Sequence, residues 1–384
     1  MLKAYLSPVK SEIFDKTKSL QSSQWGRNMY IFIEKANLPI LEDFDIAIVG
    51  VENAPNSEEA VAADIVRTHF YELYNWQNNA KIADLGNIKY GVTEKDTHFA
   101  VRMVITSLLR QGVVPIIIGG EHKISYGQFA GHSRVQDMIN VVMFDQKVDL
   151  FTTANEKTES SFLYEMLTRQ PHLSNYTHVG YQRYLVDPSM VDTLEKLHFE
   201  CVSLGNVREQ IKDVEPLLRN ATMVSFDMSV IRAADAPAVS KATPNGLFGE
   251  EACRISRYAG MSDDVRSIGF YQFEANYDYK SRTAQLLAQM VWYFIEGFYG
   301  RKHDEPALNN HDYLKYIVNF KDNDYEITFL KSKKSDRWWM KVPCKKTKNK
   351  KKGYQLVPCS YSDYALACKD EIPDRWMKAF LRLS

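Results

Sequence analysis

The stretch VVMFDQKVDLF, residues 141–151, joins a short apolar run to two aspartates, Asp145 and Asp149, with Lys147 between them. A continuous apolar run of this length is typical of a strand that is buried on both faces. The spacing of the two carboxylates suggests a site for a divalent metal ion, whereas the lysine suggests that an ammonium group replaces the ion. The stretch therefore indicates both a fold class and a candidate site.

Similar apolar runs recur along the chain, and helical patterns such as residues 94–112 and 282–300 lie between most of them. This alternation predicts βαβ units and a mainly parallel sheet covered by helices on both faces. Eight strands in this length fit either a doubly wound three-layer sandwich or a closed barrel, and periodicity alone favours neither. The predicted strands are 45–51, 81–88, 113–120, 139–145, 177–181, 199–204, 222–227 and 266–272.

The two ends of the chain differ from this central region, which we assign to residues 41–300. Residues 1–40 are polar and aromatic, and we expect them to form an arm or helix that packs on the outside. Residues 301–384 are rich in β-branched and aromatic residues, which predicts a β-rich C-terminal extension.

Turn signals at residues 321–324 (KDND) and 348–353 (KNKKKG) divide this extension into hairpins, and a helix is expected near residues 372–383. The string DRWWMK at residues 336–341 returns as DRWMK at residues 374–378, which we interpret as two aromatic anchors that dock the extension. The lysine-rich run KKTKNKKKG at residues 345–353 has no interleaved aromatic residues. A solvated hairpin tip is therefore favoured over a site that binds phosphate or an acidic partner.

The composition is that of an ordinary globular protein, with 384 residues, 45% hydrophobic residues and a formal net charge of zero. Neutrality argues against nucleic-acid or membrane binding through a protein-wide field. No signal-peptide pattern or membrane-spanning stretch is visible. The five cysteines are scattered and contain no CxxC pair, so the sequence predicts a cytoplasmic protein without a disulfide framework or a zinc site.

Polar side chains follow four of the predicted strands, at the edge where an open parallel sheet carries its active crevice. In an extended chain, Asp145, Lys147 and Asp149 would all point to one face. Such a group of carboxylates requires a metal ion, lysines or both, although aspartates at strand ends also serve as caps and turn residues. The candidates are Glu121, His122, Asp145, Lys147, Asp149, Asp227 and Glu274.

Several motifs resemble those of the arginase, agmatinase and formiminoglutamase family, the ureohydrolases, over roughly residues 40–300. IIIGGEHKISYG (116–127) is similar to the Gly-Gly-Asp-His-Ser motif, and FDQKVD (144–149) is similar to Asp-Ala-His-x-Asp. Residues 225–252 resemble the Ser-Phe-Asp-x-Asp signature and the loop after it, and RAADAPAV within them is most similar to formiminoglutamases. DLGNI (84–88) and FEANYD (273–278) are further landmarks. The resemblance implies a three-layer α/β/α sandwich with an eight-stranded, mostly parallel sheet.

The resemblance also implies a site for two manganese ions, bridged by a hydroxide that attacks a guanidinium or formimino carbon. One metal position would take His122, Asp145, Asp149 and Asp227, which are all present. The second would share Asp145 and Asp227 and add two ligands, but Lys147 and Ser229 stand at those positions. Neither is an ordinary manganese ligand, so we predict one Mn²⁺ or none.

Lys147 and Ser229 change the net charge of the site in the same direction. Replacing a neutral histidine by lysine adds one positive charge, and replacing an aspartate by serine removes one negative charge, so together they offset a missing divalent ion. We therefore expect the Lys147 ammonium to form an ion pair with Asp145 and Asp227. Lys123, where the family usually has a serine, would add further positive charge nearby.

The expected activity follows from the same resemblance. Asp149 and Glu274 are the predicted catalytic residues, and Glu274 matches the family glutamate that pairs with the cationic group of the substrate. The loop 150–169 contains no histidine to match the family's proton shuttle. We expect an impaired or inactive hydrolase of C–N bonds in linear amidines or guanidines. The alternative is a non-catalytic scaffold that binds a protein partner through residues 301–384, and a homo-oligomer is expected in either case.

Overall fold

The chain folds around two separate β-sheets in a computed structural model that describes residues 2–53, 61–77, 79–150, 162–169, 172–306, 312–320, 325–345 and 352–383. In these residues the larger sheet has ten strands and the smaller has four. The strands of the larger sheet are β1 (Leu6–Ser7), β2 (Tyr30–Ile31), β3 (Ile46–Val51), β4 (Ile82–Ile88), β5 (Val114–Ile118), β6 (Ile139–Phe144), β7 (Leu173–Tyr181), β8 (Glu200–Ser203), β9 (Met223–Asp227) and β10 (Ser267–Tyr271).

The body of the larger sheet is an uninterrupted run of parallel strands in the order β4-β3-β5-β10-β9-β6-β7-β8. Each strand coincides with one of the eight predicted segments, so the strand prediction is confirmed. The first and last strands of this parallel run, β4 and β8, are not paired with each other. The sheet is therefore open, and the sandwich is correct rather than the barrel.

Helices cover both faces of this sheet, because side chains of successive strand residues point to opposite sides. The helices are α1 (Ser11–Thr17), α2 (Trp25–Asn28), α3 (Ala62–Glu72), α4 (Glu94–Arg110), α5 (Ser125–His132), α6 (Phe162–Arg169), α7 (Pro188–Lys196), α8 (Leu204–Glu209), α9 (Val214–Arg219), α10 (Gly249–Met261), α11 (Arg282–Tyr299), α12 (Tyr361–Ala367) and α13 (Asp374–Leu383). Ile46 and Ile48 pack with α3 and α8–α11 in one apolar core on one face of the sheet. Ala47 and Val49 pack with α4 in another core on the opposite face, which α5–α7 extend.

The N-terminal residues are more closely integrated than an arm on the outside. β1 pairs antiparallel with β4, and β2 pairs parallel with the same strand. The Trp25 side chain is buried in the main core and stacks on Phe70, with ring centroids 5.8 Å apart. Two-residue pairings are too short to be recognised in a sequence pattern, which is why the prediction of eight strands missed them.

The C-terminal unit, residues 312–383, contains the second sheet and the last two helices. Its strands β11 (Tyr313–Phe320), β12 (Tyr325–Ser332), β13 (Trp338–Lys345) and β14 (Lys352–Cys359) are antiparallel and follow chain order. Trp376 of α13 is buried with Met340 in the core of this unit. The predicted β-rich extension with a terminal helix is confirmed, while the turn signal 321–324 and most of the lysine-rich run lie outside the described residues.

The arginines of the two DRW strings dock this unit onto the segment around α9. Arg337 Nε lies 3.1 Å from Glu215 Oε1, and Arg375 Nη2 donates to the carbonyl oxygen of Asp213 at 3.3 Å. Trp338 and Trp376 belong instead to the core of the unit. The Trp339 ring, however, lies 4.5 Å from the Arg219 guanidinium of α9, so the interpretation as aromatic anchors holds for Trp339 and is wrong for Trp338 and Trp376.

The C-terminal unit lies at the amino ends of the central strands. Arg219, which ends α9 shortly before β9, donates from Nη1 to the carbonyl oxygen of Trp338 at 2.6 Å. Met261, which ends α10 before β10, accepts from Arg337 Nη2 at 3.0 Å. The carboxyl ends of the same strands, where the candidate site residues lie, are at the opposite edge of the sheet.

Candidate metal centre

Three buried side chains, His122, Asp145 and Asp227, converge at the carboxyl edge of the larger sheet. His122 lies in a turn of 3-10 helix after β5, Asp145 directly follows β6, and Asp227 is the last residue of β9. One ligand atom from each lies within 4.8 Å of the others. Among the described residues, no other three histidine, cysteine or acidic side chains converge in this way.

Two glycines bring His122 to this position. Gly119 and Gly120 have φ angles of 97° and 79°, a region that side chains with a Cβ atom rarely adopt. The Gly119 N–H donates to the carbonyl oxygen of Phe270 at 2.9 Å, and the Gly120 carbonyl oxygen accepts from the Gln272 N–H at 2.9 Å. The chain is thus fixed to β10 while it turns from β5 into the site.

The His122 ring presents Nδ1 to both aspartates. Nδ1 lies 2.9 Å from Asp145 Oδ2 and 3.1 Å from Asp227 Oδ2. Neither oxygen is aligned for an N–H···O hydrogen bond, so the buried Nδ1 atom has close carboxylate neighbours without a formed hydrogen bond. Nδ1 is one of ten buried side-chain atoms without a hydrogen bond in the described residues, and here two carboxylate oxygens are its neighbours.

A turn of the same kind holds each aspartate. Asp145 Oδ1 accepts from the Lys147 N–H at 2.9 Å, and Asp227 Oδ1 accepts from the Ser229 N–H at 2.7 Å. Aspartate side chains commonly bond the backbone two residues later in this way. The turn fixes one oxygen of each carboxylate and leaves the other oxygen directed at His122.

The three side chains strongly perturb one another. Burial alone would lower the pKa of His122, but the negative charges of Asp227 and Asp145 outweigh this effect and raise the pKa well above its ordinary value. Burial raises the pKa of Asp145, and the charges of Asp227 and Asp149 raise it further. Without a metal ion, the protonated His122 is therefore the cation that balances the two carboxylates.

This set of donors fits one divalent metal ion. Two carboxylate oxygens and an imidazole nitrogen are ordinary ligands for a metal of the manganese type. The unsatisfied Nδ1 atom and the mutual repulsion of the carboxylates are both relieved by a cation between them. His122, Asp145 and Asp227 are accordingly the residues that would hold such an ion.

Comparison with known proteins relates this arrangement to a family. Residues 44–296 match the family model described as the arginase family. The chain belongs to the arginase family. This confirms the resemblance read from the sequence motifs.

Several arginase-family relatives are formimidoylglutamases. The chain is 24% identical over 243 residues to formimidoylglutamase from Staphylococcus aureus (strain Newman), covering 61% of this chain and 78% of the relative. A Trypanosoma cruzi formiminoglutamase solved with Mn²⁺ superposes with a TM-score of 0.61 at 19% identity, over 68% of this chain and 95% of that one. Formimidoylglutamase from Bacillus subtilis gives a TM-score of 0.62 at 17% identity, over 75% and 99% of the two chains. The chain is thus a formiminoglutamase-like member of the arginase family.

Lys147 does not occupy the position that the arginase-family resemblance led us to expect. Its side chain is exposed, and within the described residues no ion pair joins its ammonium to Asp145 or Asp227. The predicted ion pair is therefore wrong. β6 ends at Phe144, and the turn at Asp145 breaks the alternation that would have placed Lys147 on the same face.

Asp149 lies beside the three converging residues but is not one of them. Its carboxylate interacts electrostatically with His122 and Asp227, and burial raises its pKa. No oxygen of Asp149 belongs to the group of ligand atoms within 4.8 Å of one another. Its assignment as a fourth ligand and catalytic residue stays a prediction.

The other substituted positions contribute no ligand to this group. Ser229 is buried, and it contacts the site through its backbone N–H, which donates to Asp227 Oδ1. Lys123 lies 3.0 Å from Glu94 Oε2 and 2.9 Å from Glu121 Oε2. The expected contribution of Lys123 to the charge balance of the site stays a prediction.

Glu274 lies on the wall of a neighbouring crevice of about 210 Å³, together with Glu121 and Gln272. Its carboxylate accepts from the Ser240 N–H at 3.3 Å and also from the Ser240 hydroxyl. The structure thus places Glu274 at the carboxyl edge of the sheet but outside the converging group. Its predicted role in holding a cationic substrate stays a prediction.

Sequence reasoning missed the residues that surround the His122 ring. Ser225 Oγ lies 3.0 Å from His122 Nε2, and the rings of Phe162 and Tyr271 lie 5.1 Å and 5.9 Å from the imidazole. Ser225 was visible as the first letter of the Ser-Phe-Asp signature, and it shares a strand face with Asp227. No sequence signal pointed to the two aromatic rings.

The remaining histidines have other roles. His178 is buried, with Nδ1 2.8 Å from the Tyr176 hydroxyl and Nε2 3.3 Å from the Asp145 carbonyl oxygen. His172 and His198 belong to no group of converging ligands among the described residues. Most of the loop without histidine, residues 151–161, lies outside the described residues.

No helix in the described part of the chain is long and apolar enough to cross a membrane.

Proposed function

We propose that this arginase-family protein keeps one manganese position and has lost the second, so that its hydrolysis of C–N bonds in linear amidines or guanidines is impaired or absent. The observation that carries the proposal is the convergence of His122 Nδ1, Asp145 Oδ2 and Asp227 Oδ2 around a point where Nδ1 has no formed hydrogen bond. Manganese is the metal named for the Trypanosoma cruzi formiminoglutamase. Asp149 stands beside the group as the candidate fourth ligand.

A bound manganese ion would supply a Lewis acid and lower the pKa of a bound water. The protein contributes the fixed geometry, since the N–H groups of Lys147 and Ser229 hold one oxygen of each aspartate. The Glu274 carboxylate offers a negative charge to the cationic end of a substrate in the crevice. Lys147 and Ser229 supply no second set of ligands, which is the reason for expecting weak activity.

A second candidate is a non-catalytic scaffold in which the C-terminal unit binds a protein partner. The position of this unit at the amino ends of the strands supports this alternative, because a partner there would leave the crevice uncovered. A cytoplasmic location and self-association stay predictions from the sequence.

The test is the manganese stoichiometry of the full-length chain. We expect metal-free protein titrated with MnCl₂ to bind one ion, and the double variant Lys147→His with Ser229→Asp to bind a second, because it offers a histidine and a carboxylate at the missing ligand positions. Formamide release from formiminoglutamate and urea release from arginine and agmatine are measured in parallel. We expect very low turnover in the natural protein and a gain of about 10²-fold or more in the double variant.

The double variant Lys147→Gln with Ser229→Asn is the matched control, because it removes the lysine charge without supplying a histidine or carboxylate ligand. It should bind one ion, like the natural protein. Two ions and ordinary turnover in the natural protein would contradict the proposal. Binding of no manganese at all would contradict it too and would favour the scaffold.

A further inference from the structure

The His122 ring is held by one hydroxyl and two aromatic rings, in addition to the two aspartates. Ser225 Oγ lies 3.0 Å from Nε2, and both side chains are buried. The Phe162 ring meets the imidazole edge-on at 5.1 Å, and the Tyr271 ring lies 5.9 Å away at an angle of 33°. The rings confine the imidazole, but they do not distinguish its nitrogens from its carbons.

We propose that Ser225 is a positioning residue that holds the His122 ring with Nδ1 toward the carboxylates, and thereby sets the affinity of the site for a divalent cation. This inference rests on the proposed function. In the observed orientation Nε2 lies 3.0 Å from Ser225 Oγ, to which the Nε2–H of the protonated ring donates, and Nδ1 faces Asp145 and Asp227. Turning the ring over would place a carbon at each of these positions, so both polar contacts would be lost.

The contact with Ser225 also selects the tautomer that binds metal. A histidine binds a metal through a nitrogen that carries a lone pair, while its other nitrogen keeps the proton and donates it to a neighbour. When Ser225 Oγ accepts a hydrogen bond from the Nε2–H, the lone pair of the neutral ring is left on Nδ1. Ser225 therefore prepares His122 for the ion without touching it.

One strand supplies both this serine and a metal-binding aspartate. Ser225 and Asp227 are two residues apart in β9, so their side chains lie on the same face. Val224 and Phe226 point to the opposite face and belong to the main core. The packing of β9 thus fixes the distance between the serine that orients the histidine and the carboxylate that faces its other nitrogen.

The neighbouring strand offers a matched control in Ser267 of β10. It is equally buried, and its hydroxyl contacts Gln128 Nε2 at 2.7 Å and His132 Nε2 at 2.6 Å. Ser267→Ala removes a buried hydroxyl from a histidine that is not in the site. Any loss of manganese affinity caused only by softening of the sheet should therefore appear in this variant as well.

The experiment is calorimetric titration of metal-free protein with MnCl₂. We expect Ser225→Ala to weaken manganese binding about 10- to 100-fold, the range typical of lost partners of metal-bound histidines. Ser267→Ala should keep an affinity close to that of the natural protein. The inference is overturned if Ser225→Ala binds manganese as tightly as the natural protein, or if both variants lose affinity equally.

A second readout does not depend on metal. In ¹⁵N-histidine NMR spectra of the metal-free protein, His122 should give a slowly exchanging Nε2–H signal, assigned by its loss in His122→Gln. This signal should be lost in Ser225→Ala and kept in Ser267→Ala. If the natural protein binds no manganese, the proposed function fails while this signal still tests the contact. Its absence from the natural protein would overturn the role of Ser225.

Discussion

Two buried clusters of the larger sheet differ in how completely their charged atoms are paired. The first, the Arg67 cluster, consists of Asp64, Arg67, Tyr71, Asp84, Gly86 and Asn87. Every nitrogen of the Arg67 guanidinium donates to an oxygen, and Asp84 also accepts from Tyr71 and from the Gly86 N–H.

The His122 cluster, which consists of His122, Asp145 and Asp227, has the opposite character. Its three side chains bring two carboxylates to one imidazole nitrogen, and that nitrogen forms no aligned hydrogen bond. A buried charge costs much free energy unless it is paired and hydrogen-bonded. The Arg67 cluster meets this condition with its own arginine and with Lys10, whose Nζ lies 2.9 Å from Asp64 Oδ2, whereas the His122 cluster meets it with a bound cation. We therefore expect the Arg67 cluster to stabilise the fold and the His122 cluster to bind a cation.

The largest effect on stability should come from removing the arginine of the Arg67 cluster. Arg67→Met removes the cation that pairs with Asp84 and one of the two that pair with Asp64, and it leaves the Asp84 charge buried, so we expect a loss of about 3–5 kcal/mol in the free energy of unfolding. Chemical unfolding curves measure it. Arg254→Met, the same substitution at an exposed pair with Glu250, should leave the midpoint nearly unchanged. Equal midpoints for the two variants would remove the basis of the comparison.

A smaller effect of the opposite sign is expected in the His122 cluster. Asp145→Asn removes one of the repelling carboxylates, so the metal-free protein should be as stable as the natural one or more stable by about 1 kcal/mol, while manganese binding is lost. Thermal unfolding and calorimetric titration measure the two effects. Asp84→Asn in the Arg67 cluster is the matched substitution and should destabilise the protein. Destabilisation of similar size by both variants would show that the clusters are equivalent.

The smallest effect concerns pH. The pKa of His122 is raised to about 10, so its proton stabilises the metal-free fold at neutral pH, and this contribution is lost as the pH rises toward 10. Manganese must displace this proton, so its affinity should increase about tenfold per pH unit above neutrality. Calorimetry in buffers of different ionisation enthalpy counts the released protons.

About one proton should be released at pH 8, and more below pH 7, where the raised pKa of Asp145 adds a second. The Arg67 cluster should show no such response, because a guanidinium stays protonated throughout this range. Manganese binding with no proton release at pH 8 would argue against His122 as a ligand.

The architecture was predictable from the sequence because each central strand is a continuous apolar run followed by a helical pattern. The location of the site followed from the rule that open parallel sheets place polar groups at the carboxyl ends of their strands. His122, Asp145 and Asp227 are among the residues that this rule selects. Their convergence in space agrees with that expectation.

The contacts of the lysines were not predictable, because they depend on where strands end and on residues distant in sequence. Period-two alternation was extended past Phe144, where β6 has already ended, and this error placed Lys147 in the site. The partnership of Lys123 with Glu94 joins a strand end to a separate helix. The Arg67 cluster was missed for the same reason, although an arginine within the amphipathic pattern of α3, three residues after Asp64, was a visible signal.

The turns at Asp145 and Asp227 have a consequence for how this sequence can diverge. The group that fixes each aspartate is the peptide N–H of the residue two places later, and every amino acid except proline supplies it. Side chains at positions 147 and 229 are therefore free to drift without disturbing the aspartates. One half of a paired site can decay by mutation while the other half keeps its geometry, and a lineage can pass through that intermediate without losing the fold.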